Sequence, residues 1–244
     1  MKYLNDLKQI LNMNMVEYMI DNNDFLVNYS ANFGRPIWTA YSMDNKIIKK
    51  LKGGRKNFTL DPNLLHQDIY QLKPNSNIFS PQWSRGHLVP SYIMSWDKSF
   101  RGAWRKTYHM SNIIPQNKIL NMSNWYKLER DTLNIIKQNK ENVNVITGCD
   151  NINNPVFFDS TISTKKNLYM DSKTKFTYQI RFAVALASKP FGFETRDSPN
   201  IMYQIVISNY EIKCWLASND QRQIVKNIKL RELEELIENK IILL

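Results

Sequence analysis

Apolar residues recur at helical spacing near the start of the chain, at Tyr3, Leu4, Leu7, Ile10 and Leu11, and predict a short amphipathic helix within residues 3–20. Two strand-like runs follow, Phe25–Tyr29 and Ile37–Ser42, rich in aromatic and β-branched side chains. Residues 62–86 carry many Pro, Asn, Ser and Gln and read mostly as loop. Helical periodicity returns at 118–140, where Trp125, Leu128, Ile135 and Ile136 form an apolar side. Beyond it VNVIT (143–147) and YQIRFAVALA (178–187) predict strands, and IMYQIVI and YEIKCWLA, flanking Ser208-Asn209, predict a hairpin. The closing IKLRELEELIENKIILL has the charge and apolar spacing of a helix. The sum is an α+β chain with a central, mostly antiparallel sheet. No repeat or low-complexity hinge divides it, so we expect a lead-in segment, 1–24, and one domain, 25–244.

Composition narrows the class. Across 244 residues, 43% are hydrophobic and 12% aromatic, which excludes wholesale disorder. No apolar run approaches the roughly 20 residues a spanning helix needs. The opening MKYLNDLKQILNMN places Asp6 and Lys8 where a secretory signal keeps an unbroken apolar stretch, so an intracellular protein is expected. Cys149 and Cys214 allow at most one disulfide, which fits a reducing compartment and excludes a cysteine zinc ribbon. Thirty-three Lys and Arg against 22 Asp and Glu leave a net charge of +11. Such an excess attracts polyanions, either nucleic acid or an anionic membrane surface. Six of the basic residues, Lys46, Lys49, Lys50, Lys52, Arg55 and Lys56, surround the Gly53-Gly54 turn signal.

The chemistry concentrates in residues 83–129. Ser84-Arg85-Gly86-His87 sets a guanidinium and an imidazole two residues apart, and on an extended backbone both project to one face. That pair suits phosphodiester cleavage: the arginine neutralises phosphate charge while the histidine takes a proton from water. Asn121, Trp125 and Glu129 fall at i, i+4 and i+8 of the expected helix. On a continuous helix, Asn121 and Glu129 border one broad face, about 80° apart and about 12 Å apart along the axis. That separation favours direct ligation of an ion by one and action through water by the other. An amide oxygen plus an outer carboxylate is a sparse, all-oxygen donor set, suited to magnesium rather than zinc. In SNIIPQ, Ser111, Asn112 and Gln116 surround an apolar pair, and Asn112 either hydrogen-bonds a phosphate or braces the site.

Each feature also has a plainer reading. An RxH pair recurs by chance in basic proteins, Trp125 fits a core position, and SNIIPQ fits a turn before a helix. His66 and His109 have no Cys or second His at ligand spacing and are read as structural. WDKSFRGAWRK interleaves Lys98, Arg101, Arg105 and Lys106 with Phe100 and Trp104, a pattern that fits either base stacking or an amphipathic surface segment.

Taken in order, SRGH with Pro90, YHMSNIIPQ from Tyr108 to Gln116, and the helix running from Leu120 through Asn121, Trp125 and Leu128 to Glu129 resemble the DNA/RNA non-specific endonuclease family. The likeness extends more loosely over residues 25–244. It implies a ββα-metal (His-Me finger) core inside a larger sheet and a sugar-non-specific nuclease acting on DNA and RNA. By the same resemblance His87 is the general base and Asn121 the one direct protein ligand of a magnesium or manganese ion. Glu129 orders that ion's waters, Arg85 and Asn112 serve the phosphate, and Arg55 or its neighbour Lys56 supplies an upstream phosphate contact. A second copy of the chain and an inhibitor protein are both compatible partners. Ser84 departs from the family's usual Asp. Relatives carrying Ser there favour DNA ends, so exonuclease-restricted action, or nucleic-acid binding with catalysis lost, stands as the alternative.

Overall fold

A computed structural model of the chain describes residues 17–44, 56–79, 81–96, 102–139, 141–150, 201–208, 212–219 and 225–236. Among them, seven strands form one antiparallel sheet in the order β1-β2-β3-β6-β7-β8-β9. The strands are β1 (Tyr18–Asp21), β2 (Leu26–Ser30), β3 (Arg35–Met43), β6 (Val143–Asp150), β7 (Ile201–Ile207), β8 (Ile212–Ser218) and β9 (Val225–Ile228). The remaining two, β4 (Trp83–His87) and β5 (Ile113–Asn117), pair with each other in a separate two-stranded ribbon.

Every residue of β3 is buried, because the sheet is covered on both faces. Tyr41 and Met43 point into a core with Ile93, Leu133 and Ile136, while Trp38 and Ala40 point the other way, towards Ile146, Ile205 and Leu233. The helices α1 (Pro62–Leu65), α2 (Ser91–Met94), α3 (Ala103–Lys106), α4 (Lys118–Met122), α5 (Asn124–Gln138) and α6 (Leu230–Leu236) supply the covering layers and connections. The mixed α/β architecture with a dominant antiparallel sheet agrees with the fold class expected from the sequence. The β7–β8 hairpin is present, with Ile207 opposite Ile212.

Two expectations are corrected. Residues 18–20, expected as the end of the N-terminal helix, belong to the edge strand Tyr18–Asp21, paired to β2 through Tyr18 opposite Tyr29 and Ile20 opposite Val27. Four residues carry too little pattern to separate period two from period 3.6, and the open edge of β2 settles the matter. The sheet thus begins inside the stretch expected as a lead-in. Residues 62–86 are mostly loop, as expected, and include the short α1, capped by Asp61, and most of β4. The long helix of 118–140 is two helices, broken where Ser123 leaves the helical region at φ −118° and ψ −95°. The expected helix at 3–16, the strand at 178–187, Arg55, and Lys98, Phe100 and Arg101 lie outside the described residues.

Asn219, just past β8, holds the ribbon against the sheet. Its Oδ1 accepts from the Asn117 amide at 2.8 Å and its Nδ2 donates to the Pro115 carbonyl at 2.9 Å. Behind the ribbon, Leu88, Ile114, Leu120, Trp125 and Leu128 pack on Cys149, Met202 and Ala217 of the sheet. Trp125 is therefore a core residue. Both cysteines are buried. Among the described residues, no helix is long and apolar enough to cross a membrane.

Candidate active site

The site is built on the ribbon and the helix that follows it. β4 and β5 run antiparallel with Ser84 opposite Gln116 and His87 opposite Ile113. The last residue of β5, Asn117, is also the N-cap of α4, its Oδ1 accepting from the amides of Ile119 (3.0 Å) and Leu120 (3.3 Å). Strand thus turns into helix without a loop, and Asn121 is carried back over β4. Its Nδ2 donates to Ser84 Oγ at 2.9 Å, and Ser84 Oγ donates to the Gln116 carbonyl at 3.1 Å. Gly86 is required here by close approach: a Cβ at this position would lie 2.2 Å from Gln116 Oε1.

The other face of β4 carries Arg85 and His87 together, as the strand period predicts. Phe58 lies against both, 5.5 Å from the Arg85 guanidinium and 5.5 Å from the His87 ring. Tyr108 meets His87 edge-on at 5.0 Å. This aromatic enclosure buries Nε2 of His87, which has no hydrogen-bond partner among the described residues, and burial pushes the imidazole down to about 4. The ring is therefore neutral near pH 7, the form a general base needs. Arg85 is fastened. Its Nε donates to the Pro74 carbonyl at 2.7 Å, Nη2 donates to the same oxygen, and the Phe79 ring lies 4.7 Å from the guanidinium. It clamps the 74–79 turn over the ribbon.

Of the two roles open to Asn112, its hydrogen bonds perform bracing. The side chain is fully buried, Oδ1 accepts from the Val89 amide at 2.8 Å, and Nδ2 donates to the carbonyls of Val89 (3.0 Å) and Thr107 (2.9 Å). Glu129 lies on α5, beyond the Ser123 break, so the straight-helix separation from Asn121 does not apply. Burial pushes its carboxyl up to about 8. The neighbouring Tyr41 phenol is raised well above its ordinary value, first by burial and then by the Glu129 charge.

The sequence reading missed the support beneath Phe58 and Tyr108. Thr59 and His109 form an isolated bridge, with Thr59 N donating to Tyr108 O (3.2 Å) and Met110 N donating to Thr59 O (2.8 Å). Asp61, fully buried, accepts from the Asn63 amide at 2.9 Å and from Ser111 Oγ, while His109 Nδ1 lies 3.7 Å from its carboxylate. Burial alone would raise the Asp61 carboxyl, but His109, Ser111 and Asn63 together hold it below its ordinary value. The Asp-Pro pair at 61–62 was the available signal, as an N-cap followed by Pro. The basic-aromatic run divides where it is described: Trp104 is buried, and Lys106 pairs with Asp24 at 3.1 Å.

The donor chemistry fits a hard cation held sparsely. The Asn121 amide nitrogen is committed to Ser84, which fixes the flip of the amide, and Oδ1 accepts no hydrogen bond from the described residues. No group of three or more His, Cys, Asp or Glu side chains among the described residues is arranged to hold a metal ion.

The sequence model of DNA/RNA non-specific endonucleases matches residues 7–168, which span the ribbon, α4 and α5. The chain belongs to that family. The mitochondrial nuclease EXOG of Danio rerio is 27% identical over 105 residues, covering 43% of this chain and 29% of that protein. The chain thus aligns with under a third of that relative's length. A crystal structure of the EndoG/EndoGI complex, describing the mechanism of EndoG inhibition, contains a chain of the same fold. The match has a TM-score of 0.63 and 16% identity, and covers 94% of this chain and 88% of that one.

Proposed function

We propose that the protein is a magnesium-dependent nuclease that hydrolyses phosphodiester bonds in DNA and RNA with little sequence preference. The observation that carries this reading is the ribbon–helix unit: Asn121 is hydrogen-bonded at 2.9 Å to the strand that, three residues on, bears a neutral His87. His87 takes the proton from the attacking water. Asn121 Oδ1 would hold magnesium, with manganese as a substitute, and Glu129 would order its waters. The ion supplies charge stabilisation at the phosphate as negative charge develops. Arg85 acts by fixing the 74–79 turn and by the charge it adds beside the substrate. Arg55 or Lys56 contributes an upstream phosphate contact. An inhibitor protein is proposed as a partner, supported by the EndoG/EndoGI assembly of the structural relative.

His87→Ala is expected to lower kcat on plasmid DNA by about 10²–10⁴-fold in magnesium, and EDTA to abolish wild-type cleavage. A variant that retained most magnesium-dependent cleavage would remove His87 as the base. Ser84 favours a second reading, cleavage restricted to DNA ends or binding without cleavage. Its hydroxyl replaces a carboxylate beside Asn121 and brings no negative charge to attract a cation. Comparing linear, circular and RNA substrates separates the readings: action on linear DNA alone supports end restriction, and tight binding without cleavage supports loss of catalysis.

A further inference from the structure

The strand of His87 and the helix of Asn121 each lead, five residues further on, to a tyrosine: Tyr92 on α2 and Tyr126 on α5. The two rings meet at 6.4 Å with an interplanar angle of 58°. Tyr92 in turn meets Trp96 edge-on at 6.3 Å, and Lys137 Nζ lies over the Trp96 ring at 3.7 Å. The Arg130 guanidinium stands 6.0 Å from the Tyr126 ring. Tyr126 is 44% exposed, a large fraction for an aromatic ring so close to a core, and Arg130 and Lys137 are exposed. Residues 126, 130 and 137 fall within about 40° of one another around α5 and span about 16 Å along it.

We infer that Tyr92, Trp96 and Tyr126, with Arg130 and Lys137, form a ledge that holds a single-stranded polynucleotide leading away from the candidate active site. The inference rests on the nuclease reading and adds a substrate form to it. Tyr126 is the exposed ring of the group, backed by Tyr92 and Trp96, and with the Arg130 and Lys137 charges beside it the group offers a single strand a π-face for a base and cations for its phosphates. A duplex keeps its bases stacked inside and offers such a ledge only its phosphates. At about 3.4 Å per stacked nucleotide, the ledge accommodates about five. The link to the site is through the chain: Tyr92 stands five residues after His87 and Tyr126 five residues after Asn121.

The test measures affinity in EDTA, where cleavage is silent, for fluorescent 15-nucleotide dT and U strands and for a 15-base-pair duplex, by anisotropy at fixed salt. Tyr126→Ala is expected to weaken single-strand binding about 5- to 100-fold, the effect of losing one base stack, and to change duplex binding less than twofold. Tyr126→Phe is expected to bind as wild type. Lys137→Gln, which leaves the rings in place, is expected to weaken single-strand binding and flatten its salt dependence. Equal losses on single strand and duplex, or no loss with Tyr126→Ala, overturn the ledge. Thermal melting of each variant separates a folding defect from lost contact, and Lys137→Gln carries the test if Tyr126→Ala melts early. Plasmid cleavage in magnesium keeps the two readings apart. Cleavage with unchanged single-strand affinity in the variants sinks the ledge alone, whereas wild-type protein that neither binds nor cuts sinks the nuclease reading as well.

Discussion

Burial shifts the titration of His87 and Glu129 in opposite directions, and each shift has a readable consequence. His87 is pushed down to about 4 from an ordinary value near 6.5, so between those limits the unfolded chain binds more protons than the folded one. Its share of stability is complete above about pH 6.5 and is lost as pH falls through about 4. The acid limb of kcat/KM, which reports the free enzyme, is accordingly expected below pH 5; a limb centred near 6.5 would mean that the imidazole is solvated in the working protein. Glu129 is pushed up to about 8, so the folded state keeps a proton that the unfolded state gives up. Its stability is present below about pH 4.5 and lost as pH rises through about 8. Glu129→Gln, an uncharged isostere, is expected to raise the melting temperature at pH 9 in EDTA while leaving it nearly unchanged at pH 4. It should also abolish cleavage, because a bound cation would draw off the Glu129 proton and gain a carboxylate to order its waters, which the amide cannot become.

Among elements, the connections between secondary structures matter more than their interiors. Asn112 ties the start of β5 to Val89 and Thr107 by three hydrogen bonds in a fully buried setting. Removing its side chain strands one amide and two carbonyls. Asn112→Ala is therefore expected to destabilise by about 3 kcal/mol or more in urea titration, and to lose activity without weakening cation binding in the molecules that remain folded. Much of the ribbon–helix unit was legible in advance. Arg85 and His87 share a face because strands alternate, and the apolar stripe through Trp125 and Leu128 marked α5. The break at Ser123 was not legible, since serine is neither a strong helix former nor a strong breaker and tertiary packing decides its dihedrals. The aromatic enclosure of His87 was also hidden. Phe58 and Tyr108 are far apart in sequence, and the Thr59–His109 bridge that joins them has no local pattern.

At the scale of the whole molecule, the net charge of +11 gives an independent handle. Initial cleavage rates at limiting substrate are expected to fall at least tenfold between 50 mM and 200 mM salt as counterion release weakens association. A rate insensitive to salt would mean that few phosphates are contacted. The antiparallel sheet was legible from the aromatic and β-branched run Ile37–Ser42 and from the β7–β8 hairpin, whereas the short edge strand β1 was not. The detachment of β4 and β5 from the sheet could not be read either, because pairing partners are set by packing and not by the strands' own composition. That detachment makes the Asn219 bracket consequential. The family match ends at residue 168, yet the side chain that fastens the end of β5 to the sheet stands at 219. A fragment cut back to the recognisable motifs would retain every reactive group while losing the distant rivet that aims them, so the portion sufficient for recognition is smaller than the portion required for work.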